Sequence, residues 1–328
     1  MFRHRNEYPV EGDVPSFDGT TAWLNSEPLT ADALERRVVL VSFGTYTCIN
    51  WIRSLPYVRA WADKYRSQGL TVVGVQTPEF EFEENLDNVR RAIEEMDVRY
   101  PVAVDNDYAV WQAFDNHYWP ALYFVDAEGR IRHHHFGEGE YMGSEMVLQM
   151  LLREAGSAVD EDLVRLVPTG VEAEADWGNL RSQETYLGYG RTVDFASPEG
   201  LTPDERRVYS PPAELGRSQW ALTGDWRIGL VPARLDEAGG AIRFQFHARD
   251  VHLVMGPPAR RPPVRFEVRL DGEPPGQASG VDVDESGRGT ADYQRMYQLI
   301  RQPSLIGDRL VEIEFLDAGI EAFVFTFG

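Results

Sequence analysis

Phe43-Gly44-Thr45-Tyr46-Thr47-Cys48-Ile49-Asn50-Trp51 is the stretch on which the fold turns, because it joins two different periodicities. Before it, Val38-Val39-Leu40-Val41-Ser42-Phe43 is an apolar run short enough for a buried strand. After it, Ile52, Leu55, Val58, Ala62 and Tyr65 recur at three- and four-residue spacing within 50–66, a helical stripe. Cys48 therefore stands at the expected start of a helix. Unpaired N–H groups and the dipole at such an end stabilise a thiolate, which is the nucleophilic form of cysteine. Thr45 and Thr47 offer hydroxyl donors beside it. Cys48 is also the only cysteine in the chain. That count excludes an intrachain disulfide and any multi-cysteine metal centre. A single cysteine is most often a small buried apolar residue; the strand–helix junction is what sets this one apart.

Working outward, the alternation continues. Leu70 to Gln76 reads as a second strand, Glu84 to Met96 as a helix, Pro101 to Asp105 as a third strand and Tyr108 to Phe114 as a short helix. Ala121 to Asp126 and Ile131 to Phe136 form a hairpin pattern around Ala127-Glu128-Gly129-Arg130. Ser144 to Glu154 is a closing helix, with Ser144 as its expected N-cap. Strands and helices in this order imply a sheet with helices on both faces. Residues 157–183 are acidic and weakly periodic, and read as a linker or an arm lying on a surface. From 184 to 328 short alternating runs such as Ile242 to Phe246 and Val264 to Leu270 sit between Gly/Pro turns, which predicts a β-sandwich of roughly eight strands. The expected domains are thus 1–156, α/β, and 184–328, all-β.

At the cysteine the sequence resembles the thioredoxin superfamily. That family carries Cys-x-x-Cys at this junction, a kinking proline eight residues after the first cysteine, and a cis-proline before a late strand. Here Cys48 is followed by Pro56 at that distance, and Trp119-Pro120 precedes Ala121 to Asp126. Thr45 to Asn50, Thr77-Pro78-Glu79-Phe80, Tyr100-Pro101, Asp105 to Tyr108, Tyr118-Trp119-Pro120, Phe136 to Tyr141, Glu184 to Gly188 and the closing Phe325 to Gly328 look like the soluble part of DipZ-type cytochrome c biogenesis and redoxin proteins. The resemblance implies a thioredoxin-like domain followed by a jelly-roll sandwich similar to carbohydrate-binding modules. The full-length relatives add a membrane electron-transfer domain with no counterpart in this sequence. It further implies a backbone at Trp119 and Pro120 that pairs with a disulfide partner. One departure dominates: the second cysteine of the motif falls on Trp51. A dithiol resolves its own mixed disulfide, whereas Cys48 alone needs a second thiol from elsewhere.

Other constellations surround this one. Peroxiredoxins, similar in fold, use Pro-x-x-x-Thr-x-x-Cys with a distant arginine. Thr45 fits that pattern, Val41 stands at its proline position, and Arg53 is the arginine that could face Cys48. Glu138 and Glu140 flank Gly139 after the strand beside Pro120, so Glu138 is a candidate to approach Cys48, where a carboxylate raises a thiol pKa or shuttles a proton. Trp51 and Trp119 are candidate partner-binding aromatics, with Trp51 expected near the surface. Glu79, Glu81, Glu83 and Glu84 read as a solvated acidic loop. His133, His134 and His135, with His117, invite a metal reading, but a polar strand is the plainer one, and neither a metal nor an organic cofactor is expected. In the second half Trp220, Trp226, Tyr293 and Tyr297 are the candidates for stacking on a sugar, with packing in the core or at a domain interface the plainer reading of each.

The chain has 328 residues with 32 Lys+Arg against 53 Asp+Glu, a net charge of −21, and Lys64 is its only lysine. That balance argues against a nucleic-acid partner, which demands a basic surface. No apolar run is long enough to span a bilayer, so no membrane insertion is expected. The polar N-terminal stretch lacks a signal-peptide core, which points to the cytoplasm. The leading expectation is a single-cysteine thiol–disulfide oxidoreductase-like protein whose Cys48 thiolate exchanges with a disulfide-containing protein or a small thiol. A non-catalytic binding protein, a one-cysteine peroxidase, a carbohydrate binder acting through the second domain, and a homodimer joined through two Cys48 residues are the alternatives.

Overall fold

The computed structural model describes residues 8–328; the first seven residues of the expected first domain lie outside them. The chain divides into two compact units, 1–172 and 173–328.

In the first unit the order is β1 (Gly12–Asp13), β2 (Ala22–Leu24), α1 (Ala31–Leu34), β3 (Val38–Gly44), α2 (Ile49–Tyr65), β4 (Leu70–Gln76), α3 (Leu86–Glu95), β5 (Val102–Val104), α4 (Ala109–Ala113), β6 (Ala121–Val125), β7 (Arg130–Phe136) and α5 (Tyr141–Glu154). The seven strands form one sheet in the order β1-β7-β6-β3-β4-β5-β2. β3 runs parallel to β4, and β4 to β5, while β6 lies antiparallel to β3. Central β3 is buried along its whole length, which explains its unbroken apolar run where an edge strand would alternate. Phe43 pairs with Ala121, and Ala121 with Phe136. The register therefore brings the end of β3, the start of β6 and the end of β7 to one edge of the sheet. The Cys48 loop is at that edge.

Two local readings need correction. Helix α5 begins at Tyr141, with Glu140 as N-cap, rather than after Ser144, which is buried within it. Tyr141 stacks on Tyr57 of α2 at 3.8 Å between ring centroids, and this packing draws an extra turn into the helix. The expected helix from Glu84 splits into a 3-10 turn, Glu81–Glu84, and α3, because Asn85 caps α3 by accepting from the N–H groups of Asp87 and Asn88.

Residues 157–172 belong to the first unit and lie along it. The Ser157 hydroxyl donates to Gln68 O at 2.6 Å, and Val164 N–H donates to the buried Glu145 carboxylate at 2.8 Å. Tyr65 OH donates to the other oxygen of Glu145 at 2.6 Å, and Lys64 adds a cation at 3.5 Å.

The second unit is all-β: β8 (Thr185–Tyr186), β9 (Arg206–Tyr209), β10 (Trp220–Ile228), β11 (Ala233–Leu235), β12 (Ala241–His247), β13 (Asp250–Gly256), β14 (Val264–Leu270), β15 (Arg288–Ala291), β16 (Arg295–Arg301), β17 (Asp308–Phe315) and β18 (Glu321–Phe327). They make an 11-stranded arrangement in the order β15-β14-β17-β12-β10-β11-β18-β13-β16, with β8 on β18 and β9 on β10. Strand β10 serves both halves: Trp220 to Thr223 pair with β12, and Trp226 to Ile228 with β11. The sandwich is thus joined along one edge like half a barrel. Alternate residues such as Ile242, Phe244 and Phe246 fill its core. Among the described residues no helix is long and apolar enough to cross a membrane.

Candidate active site

The site is built on the turn between β3 and α2. Cys48 N–H donates to Thr45 O at 3.0 Å, closing the turn, and Ile52 N–H donates to Cys48 O at 3.0 Å, opening the helix. Cys48 is the N-cap of this 17-residue helix, in extended conformation, and is half-buried. Pro56 lies inside the same helix. Thr77 N–H donates to Gly44 O at 3.1 Å, which ties the loop after β4 to the cysteine turn. The indole N–H of Trp119 donates to Thr77 O at 3.1 Å. The Trp119–Pro120 peptide is cis. Trp111 lies 4.3 Å from Trp119 between ring centroids, so two half-buried indoles form a wall at this edge.

Thr45 and Thr47 are buried and their hydroxyls are engaged. Gln76 donates to the Thr45 hydroxyl at 2.8 Å, and the Thr47 hydroxyl donates to a carboxylate oxygen of Glu83 at 2.6 Å. The second oxygen of Glu83 accepts from Glu79 N–H at 2.6 Å and Phe80 N–H at 2.9 Å, and Thr45 adds a further hydrogen bond to the same carboxylate. Glu83 is 0% exposed. Burial pushes its carboxyl above the usual range, and the four hydrogen bonds pull it back only in part. This corrects the solvated acidic loop: Glu81 and Glu84 are exposed and Glu79 half-buried, but Glu83 points inward. A signal was present in the sequence. Glu83 stands three residues after Phe80, the spacing at which a glutamate reaches back to an N-cap amide.

Trp51 is also corrected. It is 5% exposed and offers no surface to a partner. Its indole lies against the backbone of Gly44, where an added Cβ would fall 2.1 Å from Trp51 Cδ1. The indole N–H is buried with no acceptor. Glu138 is joined to Arg53 of α2: the guanidinium donates to its carboxylate at 3.1 Å, and both groups are buried. Pro120 O accepts from Gly137 N–H at 2.9 Å on the same loop. Glu138 thus anchors the loop after β7 to the cysteine helix.

The histidines do not converge. His134 pairs with Glu11 at 2.7 Å, His133 packs edge-on to Tyr8, and His117 lies 3.4 Å from Asp115. Among the described residues no three His, Cys, Asp or Glu side chains are grouped as metal ligands. In the second unit Trp220, Trp226 and Tyr297 are fully buried and Tyr293 nearly so. Their rings are core, the plainer of the two readings, and not a stacking surface.

A cysteine at the N-terminus of the helix after β3, with two indoles on the neighbouring loops, is an arrangement of the thiol–disulfide oxidoreductase-like fold. The comparisons bear on this class. Residues 10–134 match the AhpC/TSA family, and residues 182–328 match the thioredoxin-like C-terminal domain. Protein DipZ of Mycobacterium bovis is 33% identical over 326 residues, covering 97% of this chain and 43% of that protein. The chain therefore spans less than half the length of that relative. The thiol-disulfide oxidoreductase YkuV of Bacillus subtilis is 33% identical over 124 residues, 38% of this chain and 83% of YkuV. A solution structure of a thioredoxin-like protein in the oxidised form shares 32% identity and covers 44% of this chain and 96% of its own, with a TM-score of 0.40. The chain belongs to the thioredoxin superfamily, with a thiol–disulfide oxidoreductase-like fold in its first unit.

Proposed function

We propose that the chain performs thiol–disulfide exchange through the single thiol of Cys48. The observation that carries this reading is the half-buried cysteine at the N-terminus of a 17-residue helix, where amide donors and the dipole favour thiolate. The thiolate attacks one sulfur of a disulfide R–S–S–R′. A Cys48–S–S–R bond forms, the partner's S–S bond breaks, and R′S⁻ leaves with the electron pair. A second thiolate from outside the chain then attacks the R sulfur. It forms a new disulfide with R and releases the Cys48 thiolate. The external thiol is the reductant and the original disulfide the oxidant, while Cys48 returns unchanged. Trp51 stands where a resolving cysteine would otherwise act, so the second step belongs to a small thiol or a protein thiol.

Two features favour exchange over peroxide reduction. The Thr45 hydroxyl is buried and already bonded to Gln76 and Glu83. Arg53 is buried against Glu138. Both groups are thus already engaged within the chain, whereas peroxide reduction draws on such donors to polarise the O–O bond. Intact-mass measurement after treatment with oxidised glutathione tests the proposal. One glutathione adduct per chain is expected, absent in Cys48→Ser and removed by added thiol. A folded chain that takes up no adduct contradicts it.

A further inference from the structure

We propose that Glu83 is a positioning residue for Cys48, holding the loop that presents the thiol through one hydrogen bond to each of Thr45 and Thr47. The inference rests on the exchange reading and adds a residue that does not touch the reacting sulfur. Thr47 immediately precedes the nucleophile, and the carbonyl of Thr45 receives the amide of Cys48 at 3.0 Å. The side chains of both threonines converge on one carboxylate. The opposite oxygen of that carboxylate is fixed by the amides of Glu79 and Phe80. Glu83 is thus a clamp between the loop after β3 and the loop after β4. The latter also carries Thr77, whose carbonyl holds the Trp119 indole.

The chemistry of the clamp is specific. The Thr45 oxygen accepts from Gln76, so its proton is available to Glu83. All four partners of the carboxylate act as donors, two of them backbone amides that can do nothing else. An amide side chain in its place turns its NH2 toward donors on one side or the other, and one of the two loops is released. Burying a carboxylate costs desolvation energy, which the surrounding donors offset only in part.

The test uses the full chain and the uncharged hydroxyethyl disulfide. The probe rates are the second-order constants for exchange and for alkylation by iodoacetamide at Cys48. Thr47→Val removes the hydroxyl without changing charge, and Thr47→Ser restores it. Glu83→Gln and Thr47→Val should each slow both reactions about tenfold, corresponding to about 1.4 kcal/mol. The double variant should be no slower than the worse single one, because both break the same contact. Thr47→Ser should return to within about twofold of wild type, a rescue that loss of fold would not produce. Near-ultraviolet dichroism verifies that each variant is folded. Wild-type rates in Glu83→Gln, or fully additive effects, overturn the inference. If the wild-type chain is alkylated but exchanges with no disulfide, the proposed function fails, and the alkylation rates still decide the role of Glu83.

Discussion

Gly44 and Trp51 show at the residue scale how the chain accommodates the loss of a second cysteine. The indole occupies the space beside the Gly44 backbone, and only a residue without Cβ leaves room for it. Gly44→Ala should therefore destabilise the first unit by about 1–3 kcal/mol, the usual cost of overpacking a filled core. Urea denaturation followed by tryptophan fluorescence would measure this, and an unchanged midpoint would refute the packing account. The sequence made Cys48 legible, because a strand pattern and a helix pattern meet at it. It did not make the burial of Trp51 legible, since helical spacing fixes neither how deep the first turn sits nor what lies opposite. Glu83 escaped for a related reason. Four glutamates in six positions look alike in composition, and only the turn geometry separates the one that points inward.

At the scale of elements, α2 and the loop after β7 are joined by the buried Arg53–Glu138 pair. Such a pair is a weak source of net stability, but removing one partner deprives a buried charge of its counter-ion. Arg53→Met should cost about 3–5 kcal/mol, and adding Glu138→Gln should restore much of that loss. Equilibrium unfolding of the two variants is the check, and equal stability of single and double variants would exclude the pair as the cause. The central elements β3, α2, β4, β6 and β7 were readable from periodicity, because each buries a face with a clear repeat. The short β1, β2 and α1 were not, as segments of two to four residues are too brief to show a period. The start of α5 was missed because tertiary stacking of Tyr141 on Tyr57, and not a local cap, decides it.

For the whole molecule, the net charge of −21 acts on encounter rather than on chemistry. Glu81, Glu84 and Glu140 are exposed on loops at the site's edge of the sheet, and no exposed lysine or arginine is present on those loops among the described residues. Cationic cystamine should therefore exchange with Cys48 faster than anionic oxidised glutathione at low salt. The gap should narrow toward about 0.15 M salt, where the screening length is about 8 Å. Equal rates at low salt would remove electrostatic steering from the account. The all-β character of the second unit was legible from its alternating strands, and the plainer reading of its aromatic residues as core agrees with their burial. Alternation shows which residues share a face, and the sandwich takes Trp220, Trp226 and Tyr297 onto the inner one. The central claim, that Cys48 is an activated nucleophile working without a resolving partner, is tested most directly by the pH dependence of its exchange rate with hydroxyethyl disulfide. The account predicts a midpoint below about 8.5, the value of an unperturbed thiol, and complete loss of reaction in Cys48→Ser. A midpoint at or above about 8.5, or a folded chain that does not react, would contradict it.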